Sequence, residues 1–221
     1  PPTTSSAASD VYKRQEQITS QIEAAQQKCG RPLGSVQLLA VSKTKPFDAI
    51  LEAARAGQVA FGENYVQEGV DKVAYFTENH SELTLEWHFI GPIQSNKTRH
   101  VAESFAWVHT VDRAKIAQRL NDQRPQDMAP LQVLIQVNTS SESSKSGASD
   151  DEIFALAELI SSLPNLTLRG LMSIPANVSD YHSQLAAFSH LAELKNRLAQ
   201  RYPELNLSLI HISEPTRQIR I

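Results

Sequence analysis

Lys43 is the residue whose position suggests chemistry most directly, within the segment VSKTKP at 41–46. The short apolar run LLAVS at 38–42 predicts a buried β-strand that ends just before it. Because strand side chains alternate between faces, Leu39, Val41 and Lys43 point to the same side. If that side is the apolar interior of a barrel, desolvation disfavours ammonium and leaves a neutral amine able to form an imine with an aldehyde. The alternative is that Lys43 extends into solvent, as most lysines do.

A second predicted strand end carries the polar sequence FGENYVQE at 61–68. Gly62 permits a tight turn after the strand, which places Asn64 at the start of a helix. The Asn64 amide is then either the N-cap of that helix or a hydrogen-bonding partner for a ligand oxygen near the imine. The sequence alone leaves both interpretations open.

Two other ionisable residues near strand ends receive structural interpretations. His88, in WHFIGPIQSNK at 87–97, is interpreted as a hydrogen-bonded histidine of the core rather than a catalyst. Lys45 lies beyond the strand and precedes a helix, so we interpret it as a solvated charge. No His, Cys, Asp or Glu residues have the spacing of metal ligands, so we expect no metal site.

The elements that must position these residues alternate between strands and helices. Strands are predicted at 38–42, 59–62, 87–91, 107–111, 133–137 and 166–173, and helices at 16–29, 46–56, 65–76, 94–103, 113–121, 150–162 and 181–201. Helical crossovers of this length make the strands pair in parallel. A doubly wound sheet would show a glycine-rich phosphate loop after its first strand, and LLAVSKTKP contains no glycine. The pattern therefore predicts an α/β protein of the (β/α)8 TIM-barrel class, with its functional residues at the carboxyl ends of the strands.

The barrel is expected to be incomplete, and the chain ends to be foreign to it. Six βα units are clear, residues 205–207 begin a seventh strand, and the pattern then stops. Residues 1–15 and 208–221 show no periodic pattern and resemble translated sequencing adapters. We therefore expect one truncated barrel domain at 16–207 between two non-native terminal segments.

Composition narrows the class of protein. The 221 residues are 41% hydrophobic and 20% charged with a formal net charge of -3, which argues against nucleic acid or an anionic membrane as the main partner. The single cysteine, Cys29, excludes an internal disulfide framework and suits a reducing cytoplasm. No apolar run approaches the roughly 18 residues that span a bilayer.

Five segments in order resemble the pyridoxal 5'-phosphate (PLP) homeostasis proteins of the YggS/PROSC type. They are LLAVSKTKP, FGENYVQE, WHFIGPIQSNK, SKSG at 144–147 and RGLMSIP at 169–175. The resemblance covers the chain from about Glu16 to Leu207 and implies a PLP barrel of fold type III, similar to the barrel domain of alanine racemase. It implies that Lys43 carries PLP as a Schiff base, that Asn64 lies near the cofactor ring, and that Met172 and Ser173 lie alongside the cofactor.

The resemblance also implies a function and a missing part. Proteins of this family are expected to bind and buffer PLP in the cytoplasm without catalysis and to supply it to apo-enzymes, and a monomer is favoured. The strand ends that would bind the phosphate have no counterpart after Leu207, so no phosphate-binding role is assigned to Ser208 or Arg217.

Two alternatives come from the enzyme class. A racemase-like PLP enzyme needs a second acid or base opposite the lysine, which alanine racemase takes from another domain, and no second domain is predicted here. A cofactor-free Schiff-base aldolase would need a second lysine or a carboxylate inside the barrel. The five segments favour the carrier over both.

Overall fold

The structure is a computed structural model that describes residues 6–139, 147–175, 180–205, 207 and 209–212. The chain divides into two compact units, the first ending at Trp87 and the second beginning at His88. The strands are β1 (Ala40–Val41), β2 (Ala60–Glu63), β3 (Glu86–Phe89), β4 (Trp107–Val111), β5 (Leu131–Val137), β6 (Leu166–Ser173) and β7 (Leu209–Ile212). The α-helices are α1 (Ser6–Lys28), α2 (Phe47–Arg55), α3 (Val66–Asn79), α4 (Thr98–Ser104), α5 (Ala114–Gln123), α6 (Asp150–Ser161) and α7 (Tyr181–Arg201). Short 3-10 helices lie at Ser95–Lys97 and Pro203–Leu205.

The strands follow one another in the sheet in chain order, from β1 to β7. Parallel pairing is seen between β1 and β2, and from β3 through each successive strand to β7. A doubly wound sheet reverses its strand order at a switch point, whereas a (β/α) barrel does not. The topology therefore confirms the predicted barrel class.

The first unit is built around an aromatic cluster. Phe61 of β2 and Phe76 of α3 both pack against Trp87 of β3, with ring centroids 5.6 and 5.7 Å apart. Phe47, at the start of α2, stacks on Tyr75 of α3 at 4.3 Å. Aromatic side chains bury large areas, so these contacts fix α3 against β3 and α2 against α3.

In the second unit, helices and strands bury apolar side chains at the residue spacing that is typical of each type of element. Helix α5 buries Ile116, Ala117 and Leu120, spaced at three and four residues, and all are fully buried. Strand β5 is buried along almost its whole length, as expected for a parallel strand covered on both faces. Helix α6 begins at Ser149, whose backbone N–H donates to the Glu152 carboxylate at 2.9 Å in a capping box.

Two predicted boundaries are wrong. Helix α1 begins at Ser6 rather than residue 16, because the intervening residues include the helix formers alanine, lysine, arginine and glutamine without glycine or proline. The predicted start of the seventh strand at Leu205 is wrong, since Pro203–Leu205 is a 3-10 helix and the seventh strand is Leu209–Ile212. The six predicted βα units are followed by this strand, which lies within the segment 208–221 that was expected to be foreign to the barrel. The assignment of 16–207 as the native domain stays a prediction.

Gly170 is required where β7 packs onto β6. Its φ is 154°, and a Cβ there would lie 1.9 Å from the Leu209 carbonyl oxygen. The register between β5 and β6 also shifts beside this residue, between Val133 and Leu134. Any side chain at 170 therefore pushes against the backbone of β7.

We expect Gly170→Ala to weaken the pairing of β7 and to lower the free energy of unfolding by about 1–3 kcal/mol. Thermal unfolding monitored by circular dichroism measures the loss. The matched control is Gly57→Ala, which also has positive φ, 98°, but open space around its Cβ. Equal losses in both variants would contradict the steric explanation, since they would leave backbone strain as the only cause.

Candidate functional site

Lys43 lies in the turn that follows β1. The strand pairs with β2 through Ala40–Phe61 and Val41–Gly62, and the Ser42 N–H donates to the Gly62 carbonyl oxygen at 2.9 Å. Ser42 is buried, Lys43 is half-buried and Val41 is 47% exposed. Burial alternates as predicted, because Ser42 is buried between two residues that are more exposed. Val41 is exposed, however, and so does not lie in the closed apolar interior that the sequence suggested.

Asn64 lies just past the end of β2, in the same unit. Val41 of β1 pairs with Gly62 of β2, and Lys43 and Asn64 each come two residues after these paired positions. Both residues therefore lie past the carboxyl ends of neighbouring strands. The N-cap of α3 is Tyr65, so the capping interpretation of Asn64 is wrong. Its Oδ1 is buried and has no hydrogen-bond partner among the described residues. A buried amide oxygen without a donor fits a ligand that can supply one.

A buried charged network, formed by Glu63, Glu68 and Lys72, lies behind the Lys43 turn. Lys72 Nζ donates to Glu63 Oε1 at 2.8 Å, to Glu68 Oε1 at 2.6 Å and to the Ser42 carbonyl oxygen at 2.7 Å. Lys72 is 3% exposed and Glu63 is fully buried. The second oxygen of Glu63 has no partner among the described residues.

This network was not predicted, although the sequence carries a signal for it. Gly69, Lys72 and Phe76 are spaced at three and four residues along α3 and form its buried face. A lysine at a core position of a helix is rarely buried unless it is paired. The partners Glu63 and Glu68 both belong to the FGENYVQE segment.

Met172 and Ser173 lie at the end of β6 in the second unit, and both are buried. Ser173 pairs with Val137 of β5, and its hydroxyl forms a 2.7 Å hydrogen bond with that of Thr139. Residues 144–146 of the SKSG segment lie outside the described residues.

The second unit also contains a chain of three histidines. His88 Nδ1 lies 2.8 Å from His109 Nε2, and His109 Nδ1 lies 2.7 Å from His211 Nδ1. The interpretation of His88 as a buried, hydrogen-bonded histidine is confirmed. The roles of His109 and His211 were missed, because only the strand pairing brings them together. Within the part of the chain that the structure describes, no group of three metal-ligating side chains could hold a metal ion.

Comparison with known proteins identifies the family. The family model described as "Alanine racemase, N-terminal domain" matches residues 14–214. A pyridoxal phosphate homeostasis protein of Vibrio cholerae is 72% identical over 196 residues, which cover 89% of this chain and 83% of the relative. The chain belongs to the pyridoxal phosphate homeostasis family. The resemblance seen in the sequence is thereby confirmed.

Solved structures agree with this family and with the barrel fold. The structure of PipY from Synechococcus elongatus with PLP bound has a TM-score of 0.77 and 33% sequence identity, covering 90% of this chain and 87% of PipY. Alanine racemase from Corynebacterium glutamicum has a TM-score of 0.64 at 15% identity, covering 92% of this chain and 54% of the racemase. The likeness to the racemase concerns the fold alone.

The family segments coincide with strand ends in the structure. VSKTKP spans the end of β1, FGEN the end of β2, and GLMS the end of β6. In barrels of this class, functional residues lie at the carboxyl ends of strands. Three of the segments that carry the resemblance thus lie at strand ends, where barrels of this class place their functional residues.

The histidine chain makes stability depend on pH. Burial, and next the charges of His211 and His88, lower the pKa of His109 well below 6.5. Burial likewise lowers the pKa of His211 from 6.5 to about 4. Between pH 6.5 and about pH 4, His211 of the unfolded chain binds more protons than His211 of the folded chain. The free energy of unfolding therefore decreases as the pH falls through this window.

We expect His109→Gln to flatten this dependence, because glutamine offers hydrogen-bonding groups without taking up a proton. Urea midpoints measured at several pH values across the window test this. The exposed His100 provides the control His100→Gln, which should keep the wild-type slope. A wild-type slope in His109→Gln would contradict the assignment.

Proposed function

We propose that this chain binds pyridoxal 5'-phosphate through Lys43 and serves in PLP homeostasis as a non-catalytic carrier. The observation that carries the proposal is the position of Lys43, at the carboxyl end of β1. It lies beside a strand end where the buried Oδ1 of Asn64 has no partner among the described residues. The names of the relatives support it, since the Vibrio cholerae protein is called a PLP homeostasis protein. PipY, a structural neighbour, has been solved with PLP bound.

The donor set near Lys43 fits this cofactor. PLP supplies an aldehyde, which condenses with a lysine amine to a Schiff base and releases water. Lys43 provides the amine. Asn64 Oδ1 would accept a hydrogen bond from a donor on the ligand, and the ring of PLP carries a hydroxyl beside its aldehyde. Met172 and Ser173, at the end of β6, are the other proposed cofactor contacts.

The carrier role is preferred to catalysis because the carrier requires only reversible binding. Two-base racemisation requires, in addition, a second acid or base opposite the lysine. The relatives are named for homeostasis rather than for a reaction. A racemase-like activity is the second candidate function.

The proposed setting is the cytoplasm, with PLP-dependent apo-enzymes as recipients and the protein as a monomer. The exposed thiol of Cys29 is compatible with a reducing compartment. Among the described helices, none combines the length and apolar character needed to cross a membrane.

Borohydride reduction of the PLP-loaded protein should attach the pyridoxyl group to Lys43, because the reagent reduces the imine to a stable amine on the lysine that formed it. Peptide mapping by mass spectrometry locates the label. Lys43→Ala should abolish the imine absorbance, whereas the neighbouring variant Lys45→Ala should retain it. A label found on Lys45 or Lys145 would contradict the assignment.

The PLP-loaded protein should not racemise or transaminate amino acids at enzymatic rates. Turnover on L-alanine is measured by a coupled assay for D-alanine and for pyruvate, with alanine racemase as the positive control. Turnover of order 1 per second, the slow end of typical enzymes, would overturn the carrier role in favour of the racemase-like alternative.

A further inference from the structure

The two peptide groups on either side of Lys43 are both held by the charged network of Glu63, Glu68 and Lys72. The Ser42 carbonyl oxygen accepts from Lys72 Nζ at 2.7 Å, and the Thr44 N–H donates to Glu68 Oε1 at 2.5 Å. These groups are the last before Lys43 and the first after it. The network therefore restrains the direction in which the Lys43 side chain leaves the backbone.

The conformation of the turn requires such support. Thr44 has a φ of 62°, in the left-handed region that β-branched residues rarely adopt. Residues in this region persist when surrounding contacts hold them there. The bond from the Thr44 N–H to Glu68 is such a contact, and the Lys45 N–H adds a 3.0 Å bond to the Ser42 carbonyl oxygen.

Lys72 is suited to hold the turn rather than to react. Its ammonium makes three contacts, with Glu63, Glu68 and the Ser42 carbonyl oxygen, which match its three N–H donors. Its side chain is 3% exposed and contacts both carboxylates. One backbone oxygen and two carboxylates therefore contact the same ammonium group.

We propose that Lys72, together with Glu63 and Glu68, is the positioning group for Lys43, fixing the turn from which the amine meets an aldehyde. The assignment rests on the proposed role of Lys43 as the PLP-bearing residue. A merely structural ion pair would stabilise the first unit without affecting where an aldehyde reacts. A positioning group also determines the order of the turn and the choice between Lys43 and Lys45.

The experiment compares the full chain with Lys72→Met, Glu68→Ala and Glu68→Gln. Glutamine keeps an oxygen that accepts from the Thr44 N–H, whereas alanine removes it. Leu120→Ala, in the fully buried face of α5 in the other unit, controls for general loss of stability. Three quantities are measured: amide hydrogen exchange at Thr44 by NMR without PLP, affinity for PLP, and the distribution of the pyridoxyl label after borohydride reduction.

We expect Lys72→Met and Glu68→Ala to exchange the Thr44 amide about tenfold faster, to bind PLP about tenfold more weakly and to spread the label onto Lys45. Glu68→Gln should lie between Glu68→Ala and the wild type in Thr44 exchange. Leu120→Ala should keep the wild-type exchange rate, affinity and label. If Lys72→Met does not fold, the two variants at the partly exposed Glu68 decide the question.

Wild-type Thr44 exchange and labelling in both Lys72→Met and Glu68→Ala would overturn the positioning role. An effect as large in Leu120→Ala would overturn it too, because it would reflect stability alone. Failure of the proposed function looks different: the wild-type protein itself would then carry no label on Lys43. In that case Thr44 exchange alone decides whether the network holds the turn.

Discussion

The first unit depends on one buried cation. Removing a lysine ammonium from water is costly, and it is tolerated where every N–H has an acceptor and opposite charge lies within contact distance. Lys72 meets both conditions through Glu63 of β2, Glu68 of its own helix and the backbone that follows β1. Removal of one partner from such a pair typically costs about 3–5 kcal/mol, because the remaining charge stays buried. The same cation thus joins α3 to the ends of both strands.

The second unit is organised differently. Its core is apolar, and its buried polar side chains include the hydrogen-bonded chain of histidine rings and Arg124, whose guanidinium donates to three backbone carbonyl oxygens. His88 lies against Trp107 at 5.2 Å, and Arg169 lies over the same indole at 5.6 Å, which shows how polar side chains are accommodated by aromatic faces. Because burial keeps His109 uncharged, the histidine chain avoids the desolvation cost that Lys72 of the first unit meets with compensating charges.

Local signals in the sequence were sufficient for most of the fold. Strands β4 and β6 were predicted at their observed bounds, because apolar runs bounded by polar or turn residues mark buried strands. The position of Lys43 after β1 followed from alternation and from Pro46 at the start of α2. The start of α1 was missed because a segment that looked foreign was set aside despite its helix-forming residues.

The features that the sequence did not reveal depend on pairing between distant elements. The sequence left Asn64 as either a helix cap or a ligand contact, and only the backbone path shows that Tyr65 takes the capping position. His109 and His211 are separated by about half the chain and meet through the strand order. The burial of Lys72 was not predicted, because a lysine is expected to be exposed unless charged partners are known to lie beside it.

Strand order in the sheet also bears on how such a chain is made. Among the described strands, each of β2 to β7 lies beside the strand that precedes it by one helical crossover along the chain, so it meets a neighbour that is already synthesised. Contacts of short sequence separation lose less chain entropy on closure and form sooner than distant ones. Assembly can therefore proceed from the amino end while the ribosome is still extending the chain, with each new strand adding to an edge already in place.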